Sequence, residues 1–394
     1  MPPIDPLFSS FSSVSKEQWL DKVTADLKGK SLDTLDWQLE ENIRLSAIYA
    51  PADQPANTAP ILDKRAANTW QIGEYIEVKD LGAANAQALE GLMGGVNAPL
   101  FIHHHLPTLE ELEILLKDIE PDFISVHFAP AYPGKDPAEL FRNLIYYTRR
   151  RGFNLGKIRG SMDFDPLLDW VEPPFKPMAR ILSFAANHTP HFRVLQVNGR
   201  TLHSGITNTA QELALIVAKG VDYLAQLAEW NVDPKTTNAH LQFSVALSTS
   251  YFVAIAKLRA LKILWANALA AFELENAPIP PISAHLAAES QTTDREYNMI
   301  KAATQAMSAV IGGADIVYVT PSDYQITGDS TAFSRRIARN AQHLLQLESH
   351  LDQVVDPAAG SYFIENLTRE LAAEAWQQFQ KIESQGGYSK IVHL

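Results

Sequence analysis

"FRVLQVNGRTLHSGITNTAQELALIVAKGVDYLAQLAEW", Phe192 to Trp230, decides the fold. It reads as a buried strand that breaks at Gly199, a polar loop carrying one histidine, and a long amphipathic helix. The same strand-then-helix pattern recurs along the chain. Further strand candidates are 69–78, 99–105, 122–128, 156–164, 242–248, 282–287 and 315–321, making eight with 192–199. Helical patterns fall at 137–151, 209–230, 252–272, 295–314 and 332–351. Such alternation predicts a parallel sheet with right-handed crossovers. About eight units over roughly 300 residues fit a closed (β/α)8 barrel better than an open sheet. No G-x-G-x-x-G and no Walker-type loop follows a strand. In a barrel, reactive residues sit at strand C-terminal ends. This places 161–165, 199–206, 248–250, 285–291 and 320–323 around one mouth.

The first 50 residues stand apart. In "SKEQWLDKVTADLKGK", Trp19, Leu20, Val23 and Leu27 share one helical face, Ser15 is a cap and Gly29 a stop. "PADQPANTAP" (51–60) is a connector. The reading is therefore an α/β chain, a (β/α)8 TIM barrel with an N-terminal helical arm. Residues 1–60 form the arm and linker, 61–375 the barrel, and 376–394 a C-terminal helix end and tail.

Composition narrows the function. The 394 residues are 46% hydrophobic, enough for a large core, with a formal net charge of −12 that argues against nucleic acid and anionic membrane surfaces. There are no cysteines, which excludes disulfides, thiolate catalysis and Cys-ligated metals. No secretory signal and no membrane-length apolar run is visible, so a cytoplasmic protein is expected.

Several motifs invite chemistry. His103 and His105 alternate onto one strand face, where His127 could join them at a metal, but an end-of-strand histidine cluster is more often structural, and no metal is expected. "TRRRGF" (148–153) ends a helix, where arginines complement the dipole, with a phosphate grip as the lesser alternative. Arg335, Arg336 and Arg339 fall on the polar side of a barrel helix, and Gly312–Gly313 fits a helix C-cap. Asp163 and Asp165, two apart, would lie on the same side of an extended strand. His203 lacks a nucleophile elbow and reads as structural.

Five strings then point to a family: "SKEQWLDKVTADLKGK", "IAKLRALKILWA", "YNMIKAATQAMSAVIGGAD", "FSRRIARNAQHLLQLES" and "VVDPAAGSYFIENLT". Together they resemble the methylmalonyl-CoA mutase family of adenosylcobalamin-dependent isomerases, from about residue 11 to 387. The resemblance implies an acyl-CoA-binding barrel with the CoA ester along its axis, and a separate cobalamin domain. Where catalytic members read G-Y-H-M-Q-E-A-G-A, gapless placement puts Arg200 at the tyrosine and Thr201 at the carbonyl-binding histidine. His203 falls two residues late, a displacement of up to about 7 Å. Where they read G-T-I-Q-N-D, Ser161 and Asp163 stand at the threonine and glutamine, and Pro173 at the substrate-pairing arginine. His285 matches the first residue of H-S-Q-T-S-G, but Leu286 and Ala287 follow it. No D-x-H-x-x-G string occurs, so no cobalamin-binding domain is expected in this chain.

The pattern looks like a small, non-catalytic subunit. Its implied partner is the catalytic large subunit, which would bind adenosylcobalamin, with no cofactor on this chain itself. Two alternatives remain open. One is a mutase barrel whose cobalamin domain is supplied in trans or truncated. The other is a regulatory barrel that binds a CoA ester, with Lys257 and Arg259 as contact candidates.

Overall fold

The computed structural model describes residues 12, 14–53, 65–132, 134, 136–203 and 208–392. Residues 54–60 of the expected linker lie outside the described residues. In the arm, Ser15 caps α1 (Lys16–Asp26) in a reciprocal capping box with Gln18. A hairpin of β1 (Trp37–Glu40) and β2 (Ile43–Leu45) follows. Ile43 and Leu45 are fully buried, and β2 packs on the C-terminal helix.

Eight strand–helix units then succeed one another. The first half comprises β3 (Gln71–Val78), α2 (Leu81–Met93), β4 (Ala98–His103), α3 (Leu109–Leu115), β5 (Ser125–Pro130) and α4 (Pro137–Arg150). Next come β6 (Arg159–Met162), α5 (Pro166–Asp169), α6 (Phe175–His188), β7 (Phe192–Arg193), β8 (Leu195–Asn198), α7 (Thr209–Glu229) and α8 (Pro234–Ala239). The rest are β9 (Leu241–Leu247), α9 (Tyr251–Ala271), β10 (Ile282–Leu286), α10 (Arg295–Ile311), β11 (Ile316–Tyr318), α11 (Tyr324–Thr327) and α12 (Ala332–Leu347). Two helices, α13 (Tyr362–Ser384) and α14 (Tyr388–Val392), end the fold.

The parallel strands lie side by side in the order β7-β6-β5-β4-β3-β11-β10-β9-β8. β7 and β8 are halves of one strand, interrupted at Val194, where the Val194 and Leu195 N–H groups both donate to the His240 carbonyl (3.1 and 3.2 Å). The two ends of the sheet therefore meet, and the barrel closes with eight strands. All eight predicted strands are present. Their ends shift by a few residues: β6 shrinks from 156–164 to Arg159–Met162, and β5 starts three residues after 122.

Strand alternation divides the interior in two. Outward residues such as Ile72 and Ile76 join the large core under the helices. Inward ones such as Leu100, Ile316 and Tyr318 form a small separate cluster. Helix α13 lies across α7 and α9 and runs unbroken through position 375, where the barrel was expected to end. Close packing between α7 and α9 requires Gly220, where a Cβ would sit 2.5 Å from the Trp265 ring. One expectation fails on α12. Arg335 and Arg339 are not on a solvated side but turn inward: Arg339 pairs with Glu74 of β3 at 2.6 Å, and Arg335 reaches Glu90 at 3.1 Å. An outward strand carboxylate at Glu74 needs a cation, and the neighbouring helix α12 supplies it.

Candidate functional site

The inward face of the barrel is polar, and most of its groups pair with one another, while His127 Nε2 is buried without a partner. Burial pushes the Tyr75 hydroxyl up to about 12 and drives His285 well below its usual value, so Tyr75 stays protonated and His285 neutral. Tyr75 O–H then donates to His285 Nδ1 (2.6 Å), His285 Nε2–H to Ser283 Oγ (3.1 Å), and Ser283 O–H to the Phe243 carbonyl (3.2 Å). His285 also stacks on Tyr318, with centroids 4.7 Å apart. That stack stands against Gly73, the one position on β3 bare enough to admit the Tyr318 ring.

A second chain of contacts crosses the interior beside it. His127 Nδ1–H donates to Ser161 Oγ (2.8 Å), burial having pushed His127 down to about 3. Ser161 O–H points at Asp163 Oδ1 (3.4 Å), and Gln242 Nε2 donates to the same oxygen (2.9 Å). Burial raises the Asp163 carboxyl to about 6, opposed by the charge of Arg200 and by donors from Gln196, Ser161 and Gln242. The space these residues enclose, with Leu100 and Ile316, has no room for a water molecule. At the level of these residues the axis is filled with side chains.

The structure therefore brings together Ser161, Asp163 and His285 and leaves the other expected positions apart. Thr201 is exposed and donates its hydroxyl to the Asn198 carbonyl at 3.1 Å, a bond within its own loop. Pro173 precedes α6 and contributes only a backbone carbonyl, to the Phe175 N–H (2.8 Å). Asp163 and Asp165 do not share a side, because β6 ends at Met162 and strand alternation ends with it. Asp165 instead holds Lys219 Nζ (2.7 Å), the Tyr223 hydroxyl and the Asn198 N–H (2.8 Å), joining the mouth to α7.

The histidines do not gather at a metal. His103 is buried and stacks on Phe128 (5.8 Å), His105 contacts Glu111 (3.0 Å), and His127 belongs to the interior chain. Among the described residues, no three His, Asp or Glu side chains come together as a metal site. His203 is held between two carboxylates, Glu212 (2.9 Å) on α7 and Glu289 beyond β10. The hydrogen bond that His203 donates to the Glu212 carboxylate is the main reason its pKa is raised.

Lys257 and Arg259, the CoA-contact candidates, are interior residues. Lys257 pairs with Glu212 and donates to the Ala246 carbonyl (2.6 Å). Arg259, 1% exposed, holds Asp356 and also Glu365 (2.8 Å) at the start of α13. Both cations sit opposite buried carboxylates, Lys257 against Glu212 of α7 and Arg259 against Asp356 in the loop before α13 and Glu365 of α13, so their charge is neutralised inside the protein.

Sequence reasoning passed over two features. Arg200 was read only as a replaced tyrosine, yet its charge bears on Asp163, Tyr75, His285 and Tyr318 at once. The gapless placement had already marked the position. The second is a cavity of about 360 Å³ at the N-terminal ends of the strands, with Arg159, His191 and Arg193 on its walls. It shares His127, Gln242 and Ile316 with the closed axis, so it deepens no further than those three. No sequence motif announces it, because its residues come from six separate strand starts.

Among the described residues, the histidines at the mouth are engaged rather than presented as cobalt ligands: His104, His105 and His203 each contact a carboxylate, and His103 is buried against Phe128.

Comparisons with known proteins agree on one family. The family model of methylmalonyl-CoA mutase matches residues 104–394. A methylmalonyl-CoA mutase small subunit from Porphyromonas gingivalis is 33% identical, over 98% of this chain and 65% of its own length. Another from Streptomyces virginiae is 29% identical, over 97% of this chain and 65% of its own. A methylmalonyl-CoA mutase from Cereibacter sphaeroides is 28% identical, over 95% and 59%. The chain thus spans somewhat under two thirds of the length of each of these relatives.

Proposed function

The chain belongs to the methylmalonyl-CoA mutase family, and from that premise we propose that it is the small, structural subunit of a heterodimeric mutase. The holoenzyme would interconvert methylmalonyl-CoA and succinyl-CoA, with chemistry confined to a large catalytic subunit. The filled barrel axis carries this reading. A CoA ester needs a path between the strands, and here Tyr75, His285, Tyr318, Asp163 and Gln242 occupy it without room for water. Thr201, Asp163 and Pro173 support it further. A hydroxyl bonded within its own loop, a carboxylate and a proline stand where the family pairs with the thioester carbonyl and the substrate carboxylate. When bound by the partner, adenosylcobalamin supplies the radical chemistry. No step of it is routed through this chain.

What the chain offers instead is surface. The apolar stripe of α1 and its C-cap (Trp19, Leu20, Val23 and Leu27) is only half-buried, so part of the arm's hydrophobic face is left for a partner to cover. The arm is also anchored: Glu40 accepts from the Thr209 N–H (2.7 Å) at the start of α7. Co-expression with the large subunit is expected to give a stable 1:1 complex, weakened by removal of residues 1–30. A strict monomer that leaves mutase activity unchanged would overturn the reading.

A second reading has an observation of its own. The arginine-walled cavity at the strand starts suits the phosphates of a CoA ester held outside the closed axis, as a regulator would hold it. Calorimetry with acetyl-CoA tests it: binding that is lost in Arg193→Gln supports regulation, and no binding removes it.

A further inference from the structure

Between α4 and α6 lies a cavity of about 490 Å³ with no part in the mutase reading. Its floor is apolar. Phe141, Ile145 and Ile181 are buried, and Phe141 meets Phe184 edge-to-face with centroids 5.8 Å apart. Its rim carries Arg142 and Arg149 from α4 and Arg180 from α6, all exposed. Among the described residues, Arg149 and Arg180 have no ion-pair partner, and Arg142 has only a surface contact to Glu139 at 3.3 Å. The one acid lining the cavity, Asp136, is engaged as the cap of α4, accepting from the Ala138 N–H (2.8 Å).

Helix-dipole complementarity explains arginines at the end of α4, as the "TRRRGF" run suggested. It does not explain Arg180, which lies on a different helix and borders the same apolar floor. Three cations gathered beside only Glu139 and the capping Asp136, on a chain of net charge −12, mark a local reversal of sign. An apolar floor beneath a cationic rim complements a ligand with an apolar body and an anionic head. The volume falls in the usual range for a small molecule, about 300–1,000 Å³. A protein partner would need a broader footprint, about 800 Å² per side.

We propose that the α4–α6 groove binds a small amphipathic anion, an alkyl or aryl body lying on Phe141, Ile145, Ile181 and Phe184 with its carboxylate or phosphate head held by Arg149 and Arg180. The test is calorimetric titration of the full chain with decanoate, decyl phosphate and decanol, each below its micellar concentration. At least one anion is expected to bind with 1:1 stoichiometry, and decanol at least tenfold more weakly. The tighter of the two anions identifies the head group. The Arg149→Gln/Arg180→Gln variant, with an unchanged circular dichroism spectrum, is expected to lose at least tenfold in anion affinity and nothing in decanol affinity. Absence of binding by both anions would overturn the proposal, as would equal binding of decanol or undiminished binding by the double variant. So would a double variant whose only defect is failed assembly with a mutase large subunit, since the groove would then be a protein interface.

Discussion

Asp163→Asn probes the barrel interior most sharply, because its effect reverses the usual expectation for losing a buried charge. The Asp163 carboxyl is raised from 3.8 to about 6, chiefly by burial, with Arg200 and the surrounding donors only partly offsetting it. A carboxyl whose folded pKa is raised gives the fold stability that is fully present below pH 3.8. That stability is lost as pH rises through 6. At about 1.36 kcal/mol per pKa unit the loss reaches about 3 kcal/mol, and partial exposure of the side chain reduces it to about 1–2 kcal/mol. Asparagine keeps an oxygen for the Gln242 and Ser161 donors but never ionises. Thermal unfolding of both proteins, followed by circular dichroism from pH 4 to pH 8, reads the difference. The variant should match the parent near pH 4 and exceed it by a few degrees above pH 7, the gain appearing between pH 4 and 7. A variant destabilised equally at every pH would refute the reasoning, since Asp163 would then be holding the fold as an ion opposite Arg200.

Other substitutions test neighbouring statements. Arg259→Met leaves Asp356 and Glu365 buried without their cation and should cost about 3–5 kcal/mol in urea unfolding. The Arg259→Met/Asp356→Asn/Glu365→Gln triple variant should recover part of that loss. His203→Gln should destabilise the protein at pH 6 and have little effect at pH 9. His203 has a raised folded pKa, so its contribution is present at low pH and lost as pH rises through that value. Gly220→Val drives a side chain into the Trp265 ring and should cost about 1–3 kcal/mol, read in the same assay, unless α7 and α9 separate.

The fold was legible because eight apolar runs alternate with amphipathic helices, and periodicity survives even where boundaries slip. Closure was harder to see. Val194 interrupts a strand that reads as continuous, and its two amides meet one carbonyl, which no composition rule anticipates. Site positions followed from a gapless placement of short motifs, so Thr201, Asp163 and Pro173 could be named in advance. What the sequence hid was direction. Arg339 reads as a cation on the polar side of an amphipathic helix and Arg259 as a CoA contact, yet each turns inward to a buried carboxylate on another element. Asp165 shares a motif with Asp163 but leaves the strand before it can share a side. Partners from about fifty to more than two hundred residues apart decide such orientations, and local pattern carries no trace of them.

The account rests on this chain holding no reacting group. Turnover of methylmalonyl-CoA by the purified complex with the large subunit, loaded with adenosylcobalamin, tests that with Thr201→Ala and Asp163→Asn introduced in this chain. The account predicts kcat and KM within twofold of the parent complex, and no turnover by this chain alone. A tenfold fall in kcat with the complex still intact, or turnover by the isolated chain, would contradict it.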